Sequence, residues 1–108
     1  MQNLVFAVGR LVSDPEIKEA ENNRKVATIT VAIPRSYKNS EGIYETDFIS
    51  VILWNGIAER TFEYCKKGDL VGIKGRMQKS TGDKEMVVIA EKISFLASKK
   101  TGEENEMS

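Results

Sequence analysis

The sequence predicts an all-β domain, in which a small five-stranded sheet curls into a partly open barrel and carries one short helix. Two observations predict it. Five segments rich in β-branched and other apolar residues are separated by turn signals, and one intervening segment has apolar residues at helical spacing. Glycines inside three of the strand segments, at Gly9, Gly72 and Gly75, permit the sharp bends that closing a small sheet requires.

The first half of the chain contains two strands and the turns between them. "LVFAVGRL" (4–11) reads as a strand, and the Asp-Pro pair at 14–15 breaks it or turns the chain. "ENNRK" (21–25) is a polar turn. "VATITVAI" (26–33) alternates and is rich in β-branched residues, so it is the second strand, which Pro34 ends or bulges.

The middle of the chain contains a hairpin, the third strand and the helix. "KNSEG" (38–42) is a hairpin tip in which Gly42 is free to take a positive φ, and "DFISVILW" (47–54) is the third strand. Within 55–69 the apolar positions recur at helical spacing, Asn55 suits the start of a helix, and the end is rich in Lys and Gly. The members of that apolar face are Ile57, Ala58, Thr61, Phe62 and Cys65.

Two more strands complete the barrel. "LVGIKGRMQK" (70–79) and "EMVVIAEKISFL" (85–96) flank a tight turn at 80–83. Three strands, a helix between the third and fourth strands, and two further strands form the order of the OB-fold, a five-stranded Greek-key barrel. We assign residues 1–98 to this domain and residues 99–108 to a short acidic tail that is predicted to be disordered.

Length and composition limit the classes of protein. The chain has 108 residues, of which 41% are hydrophobic and 30% charged, as expected for one folded domain. No apolar run reaches the length of a membrane span, and no secretion signal is visible. The single cysteine, Cys65, suits the reducing cytoplasm. The net charge is zero, but residues 1–100 hold 16 basic and 13 acidic groups and so a net charge of +3.

The side of the third strand that faces away from the core carries two aromatic rings. Alternation places Phe48, Ser50, Ile52 and Trp54 on one face and an aliphatic set on the other. Rings on an open sheet can stack on nucleobases, each stack contributing roughly 1–3 kcal/mol without reading sequence. The structural alternative is that both rings are buried beneath a loop or another subunit. The rings lie ~20 Å apart along the strand, so they suit two different bases.

Basic and aromatic residues also cluster before this strand and on the later ones. Arg35, Tyr37 and Lys38 lie together in "RSYK", with Tyr44 across the hairpin. Cations elsewhere are candidates to contact phosphates, against the alternative of ordinary surface charge. These are Arg10, Lys74, Arg76, Lys79 and Lys84.

The sequence offers no support for an enzyme, a metal site or a cofactor. Histidine is absent, which weakens metal-centred and histidine-based acid–base chemistry. The acidic pair in "SDPEIK" reads as a turn cap, and Cys65 reads as a core residue. The glycines at 72, 75 and 82 do not form a phosphate-binding loop, because no GK[ST] follows.

Several ordered segments resemble the bacterial and phage single-stranded DNA-binding proteins. They are "VGRLVSDPEIK" (8–18), "VATITVAI" (26–33), "DFISVILWNGIAE" (47–59) and "YCKKGDLVGIKGRM" (64–77), and the resemblance covers residues 2–96. It implies the OB-fold, sequence-tolerant binding of single-stranded DNA in replication, recombination and repair, and a homo-oligomer, with a tetramer favoured and a dimer allowed. Tyr37, Phe48 and Trp54 fall where that family has stacking aromatics.

The chain departs from that family at two places. The hairpin after "GRM" is short and has no ring, so Lys79 and Lys84 would supply charge there instead of stacking. The sequence stops at "EENEMS" without the acidic Pro-Phe tip through which family members recruit replication and repair enzymes, so it does not predict such recruitment.

Two other functions remain open at this stage. An OB barrel could serve as a protein-interaction subunit of a replication or conjugation assembly, with Phe48 and Trp54 as interface residues. An RNA-binding OB protein would show a preference for ribose through 2′-hydroxyl contacts.

Overall fold

A closed barrel of five strands forms the body of the protein in the computed structural model, which describes residues 3–80, 82 and 85–99. The sheet runs β1-β5-β6-β4-β3-β2, and a further pairing of β1 with β3 closes it. β4 and β6 are parallel, and the other pairs are antiparallel. The strands are β1 (Val5–Leu11), β2 (Ile17–Glu19), β3 (Lys25–Lys38), β4 (Tyr44–Trp54), β5 (Leu70–Lys79) and β6 (Met86–Ala97).

The predicted OB-fold is confirmed, with one strand more than expected. β2 pairs with β3 outside the closed barrel, so the helix α1 (Asn55–Tyr64) lies between β4 and β5 in this numbering. β2 was missed because its three residues hold a single apolar side chain, Ile17, and show no alternation. The predicted polar turn is a 3₁₀ turn at Glu21–Asn23, with Asn22 and Asn23 at φ values of 62° and 58°.

The hairpin between β3 and β4 is longer than the sequence predicts. β3 continues past Pro34, and its register with β4 shifts between Pro34 and Lys38, which is the bulge that a proline without an N–H favours. The tip is held by Asn39, whose Oδ1 accepts hydrogen bonds from the backbone N–H groups of Glu41 and Ile43. Gly42 has a φ of 78°, as predicted.

The barrel interior is filled by the inward-facing side chains of the strands, and α1 covers one end. The helix stops earlier than the predicted segment, and Ala58, Thr61 and Cys65 are buried against the barrel. Phe62 was predicted on this apolar face but is 51% exposed. The side chains of the core cluster are Leu11, Ala27, Ile29, Val31, Val51, Leu53, Ala58, Cys65, Val71, Ile73, Val88 and Ala90.

The start of the helix differs from the prediction that Asn55 caps it. Trp54 is the N-cap residue and makes no side-chain capping bond, and Asn55 is the first helical residue with a φ of 52°. The Asn55 Oδ1 instead accepts a hydrogen bond from the N–H of Lys25 at 3.2 Å. This side chain therefore ties the end of β4 to the start of β3.

Gly75 allows β5 and β6 to approach closely at a bulge. The β5–β6 register shifts between Lys74 and Gly75, where Glu91 is the extra residue on β6. A Cβ at Gly75 would overlap the carbonyl oxygen of Ile89. A glycine at this position therefore lets the two backbones approach more closely than any residue with a side chain would allow.

No described helix is long and apolar enough to cross a membrane. The predicted tail lies outside the described residues except for Lys99, and Lys84 also lies outside them.

Candidate nucleic-acid interface

The outer face of β3 and β4 carries the two predicted rings. Val51 and Leu53 are fully buried, so the alternate residues from Phe48 to Trp54 point away from the core. The register pairs Phe48 with Ala32 and Trp54 with Val26. Strand alternation predicted this arrangement, and the structure confirms it.

Phe48 presents an open aromatic surface. Its side chain is 66% exposed, and its neighbour on β3, Ala32, is too small to cover a phenyl ring. The ring is therefore available to a flat apolar partner from solvent. The described residues leave the Phe48 ring exposed, so none of them buries it as the structural alternative required.

Trp54 is half-buried and carries a cation over its ring. The guanidinium carbon of Arg24 lies 4.0 Å from the ring centroid, which is a cation–π contact. Arg24 orients the indole and covers one of its faces. Sequence reasoning did not select Arg24, although it lies two residues before Val26, the register partner of Trp54.

Cross-strand rows bring further cations to the same outer face. Lys18 on β2 pairs with Val26 on β3, which pairs with Trp54 on β4, so the three residues form one row across the sheet. On the other side, Ile52 pairs with Ile89 on β6, and Ile89 pairs with Arg76 on β5. Arg76 and Lys18 are exposed, so a charged side chain lies to each side of the central pair of strands.

Arg10 lies in the row of Phe48. It pairs with Ala32, which pairs with Phe48 on the next strand. One of its terminal nitrogens, Nη1, donates to the carbonyl of Gly68 at 2.9 Å. Since a guanidinium has five N–H donors, this bond anchors the side chain and leaves donors for a phosphate.

The β3–β4 hairpin carries two exposed tyrosines. Tyr37 is 63% exposed and Tyr44 is 57% exposed. The ammonium of Lys38 lies 5.6 Å from the centroid of the Tyr44 ring, its register partner. The hairpin therefore extends the aromatic and basic character of the outer face beyond the barrel.

Arg35 is occupied by carboxylates. Its Nε and Nη2 donate to the two oxygens of Asp47 at 3.1 and 3.0 Å, and its Nη1 donates to Glu45 at 2.8 Å. The hydrogen bond from Arg35 holds the pKa of Asp47 below its usual value, and the same bond raises the pKa of Arg35. The charge of Arg35 is thus neutralised, so in this arrangement it is not a free phosphate ligand.

The remaining predicted cations lie apart from this face. Lys74 lies between Phe6 on β1 and Lys92 on β6 in its cross-strand row. Lys79 is exposed at the end of β5, and alternation places it on the side opposite to Lys74. Lys84 falls outside the described residues.

No group of three or more His, Cys, Asp or Glu residues suited to a metal occurs in the described part of the chain. Cys65 is buried, and burial raises the pKa of its thiol, with a further contribution from the charge of Asp69. A thiol in this state is a poor nucleophile, in keeping with the core role that the sequence predicts.

Comparison with known proteins gives the family. A model of the single-strand binding protein family matches residues 2–96. The chain belongs to this family. The description of this family names the binding of single strands, and the family is not one of enzymes.

Bacterial members of the single-strand binding protein family are similar over most of this chain. Single-stranded DNA-binding protein B of Bacillus subtilis is 42% identical over 79% of this chain and 75% of its own length. Single-stranded DNA-binding protein 3 of Listeria innocua is 39% identical over 94% of this chain and 68% of its own length. Single-stranded DNA-binding protein 1 of Lactococcus lactis is 40% identical over 94% of this chain and 72% of its own length.

Proposed function

We propose that this protein binds single-stranded DNA without sequence preference in the cytoplasm and protects it during replication, recombination and repair. The observation that carries the proposal is the outer face of β3 and β4, where Phe48 is open to solvent and Trp54 lies beneath Arg24. The names of the similar proteins, which are single-stranded DNA-binding proteins, support the same function.

The mechanism combines stacking with neutralisation of phosphates. Phe48, Trp54 and Tyr37 stack on bases, and because every base has a π-face this contact does not read sequence. Arg24, Arg76, Arg10 and the hairpin lysine Lys38 contact phosphates and release counterions. We propose no catalytic step.

A fluorescence titration tests this function. Trp54 is the only tryptophan, so its emission reports directly on the outer face. We expect oligo(dT) to quench it, and affinity to fall with salt by about 0.7 log units per phosphate contact for each tenfold rise in salt. Oligo(dT) of graded length, oligo(U) and duplex DNA are compared at two salt concentrations.

Three outcomes would contradict the proposal. Retention of little or no single-stranded DNA in a filter assay would favour a protein-interaction subunit. Preference for oligo(U) would indicate an RNA-binding protein that uses 2′-hydroxyl groups. Binding of duplex DNA as tight as that of oligo(dT) would show that unstacked bases are not the ligand.

Removing the carboxylates around Arg35 is expected to strengthen binding. The double variant Glu45→Gln with Asp47→Asn removes two negative charges from the hairpin and frees the guanidinium for a phosphate. We expect affinity for oligo(dT) to rise about fivefold, of the order of one exposed ion pair (~1 kcal/mol). The salt dependence should steepen by about 0.7 log units per decade.

The matched control replaces two exposed carboxylates away from the outer face of β3 and β4. Glu63→Gln with Glu91→Gln changes the net charge by the same amount at α1 and β6. An equal gain in affinity in both double variants would mean that net charge alone acts, and would exclude a specific role for Arg35.

We also propose that the protein is a homo-oligomer, with a tetramer favoured by the family resemblance and a dimer allowed. The outward face of β1 is apolar, and the described residues leave it uncovered, with Phe6 72% exposed and Leu4 and Val8 more than half exposed. Leu96 of β6 lies beside Phe6 and Val8 at a cavity of about 420 Å³. A contiguous apolar patch of this kind on a soluble protein marks an interaction surface.

Light scattering coupled to size exclusion tests the oligomer. We expect a mass that is a multiple of the 12.1 kDa chain, and a lower multiple for Phe6→Glu, because a charge cannot be buried in an apolar interface without a partner. Phe62→Glu, which places the same change on the exposed side of α1, should leave the mass unchanged. A wild-type mass equal to one chain would refute the proposal.

A further inference from the structure

A second apolar groove lies at the end of the barrel, between the last turns of α1 and the second half of β6. It encloses a cavity of about 570 Å³ whose walls include Tyr64, Cys65, Ile93 and Phe95. A smaller cavity of about 440 Å³ continues it past Tyr64 and Phe95. None of the residues proposed to bind DNA lines either cavity, so the proposed DNA-binding function leaves the groove unexplained.

The groove has a buried floor and exposed aromatic walls. Cys65 and Thr61 are buried, whereas Tyr64 is 68% exposed and Phe95 is half exposed. Phe95 follows the alternation of the inward-facing residues of β6, yet it is half exposed and lines the cavity together with residues of α1. Two large rings beside a concave apolar floor are suited to hold an apolar side chain from outside.

The strand that lines the groove has one free edge in the described structure. β6 pairs with β4 only at Val88 and Ile89, and from Lys92 onward its ladder partner among the described strands is β5 alone. Since residues 91–93 and 95 line the larger cavity, the edge that β5 does not occupy borders the groove. An extended polypeptide can add to such an edge as a further strand, whereas a nucleic acid cannot reproduce a β ladder.

The charges around the groove are mostly positive. The exposed cations are Arg60 and Lys92 at the larger cavity and Lys66, Lys67 and Lys99 at the smaller one. Two carboxylates line the groove. Glu91 is exposed, whereas Asp69 is buried and accepts hydrogen bonds from the backbone N–H groups of Lys66 and Lys99. A ligand of negative charge is therefore favoured.

We propose that this groove docks an extended acidic peptide segment of a partner protein, which adds to the free edge of β6 and inserts an aromatic or branched apolar side chain between Tyr64 and Phe95. The peptide carboxylates meet Arg60, Lys92 and the lysines beyond Tyr64. This binding goes beyond the DNA-binding function and does not depend on it, since the two surfaces share no residue.

The test uses isotope-labelled full-length protein saturated with oligo(dT), so that any basic surface used by DNA is already occupied. A short synthetic peptide in which Asp and Glu alternate with Phe and Leu is titrated, and amide shifts are mapped by NMR. We expect shifts to concentrate at residues 60–65 and 91–95. The same peptide with Lys in place of its acidic residues is expected to bind at least tenfold more weakly.

Removing one positive charge inside the groove and one outside it distinguishes binding in the groove from attraction to the overall charge of the protein. Arg60→Gln is expected to lower the affinity for the acidic peptide about threefold, within the range of one exposed charge pair. Lys25→Gln, an exposed cation outside the groove, should leave it unchanged. Phe95→Ser should bind the acidic peptide about tenfold more weakly, as expected for the loss of an apolar anchor. Thermal melting confirms that this variant is folded.

Each other outcome overturns the proposal. Equal binding of the acidic and lysine peptides, shifts confined to β3 and β4, or no shifts up to millimolar peptide would each do so. A mass that falls to a lower multiple in Phe95→Ser would show that a second copy of this chain covers the groove. Binding of oligo(dT) is measured separately, and if it fails the peptide titration is run on the free protein.

Discussion

Replacing Phe48 by alanine is expected to weaken binding of oligo(dT) by about 5- to 150-fold. The ring is two-thirds exposed, so its loss removes one base stack of roughly 1–3 kcal/mol and little stability. A difference of 1.4 kcal/mol corresponds to a factor of ten in affinity. Quenching of Trp54 emission measures the change, because the indole remains in the variant.

The control for Phe48 is Phe62→Ala. Phe62 is also a half-exposed phenylalanine, but it lies on α1 and not on the outer face of β3 and β4. The Phe62→Ala variant should bind oligo(dT) as tightly as the wild type does. The salt dependence should be unchanged in both variants, since neither removes a charge. Equal losses in the two variants, or no loss in Phe48→Ala, would remove Phe48 from the DNA-binding site.

Alternation along one strand was enough to predict the central rings of the candidate site. Once Val51 and Leu53 are taken as core, Phe48 and Trp54 must face outward, and the structure confirms this. Arg24 and Lys18 were missed because they lie outside β4: Arg24 stacks on Trp54 from the segment before β3, and Lys18 shares a cross-strand row with Trp54 through Val26. Spacing along a single strand does not contain that register.

Arg35 shows a different limit of sequence reasoning. A basic residue beside a tyrosine suggests a phosphate contact, yet Asp47 and Glu45, ten or more positions further along, bind its guanidinium. Antiparallel pairing of β3 with β4 brings these residues together. The sequence shows which charges exist, whereas the register decides which of them neutralise one another.

The fold was predicted best where the hydrophobic pattern was long. β5 matches its predicted bounds, and β1 and β6 differ by one residue at their ends. The failures are local: the three residues of β2 are too few for a periodic signal, and the Asn55 side chain bonds to Lys25 rather than to the helix. In that second case a contact between distant residues replaced the expected local cap.

Replacing Gly75 by alanine is expected to have the largest effect on stability. An added Cβ would overlap the Ile89 carbonyl oxygen, and the next nearest atoms are also backbone, in Ile89 and Ala90. No flexible side chain can move aside, so the strands must separate at the bulge. We expect the free energy of unfolding to fall by about 3 kcal/mol, near the upper end of the range for overpacked cores. This corresponds to a decrease in Tm of about 12–24 °C for a domain of this size.

Gly56→Ala distinguishes this steric effect from a general effect of replacing glycine. Gly56 lies in the first turn of α1, and an added Cβ there meets no atom within 4 Å beyond its chain neighbours and the backbone of its own helix. Alanine favours helix over glycine by roughly 0.5–1 kcal/mol, so this variant should be slightly more stable than the wild type. Melting curves are compared at one protein concentration, because association would make Tm depend on concentration. If Gly75→Ala has the same Tm as the wild type while Gly56→Ala behaves as expected, the β5–β6 bulge tolerates a side chain. Close approach of the two backbones would then not be required at this point of the barrel.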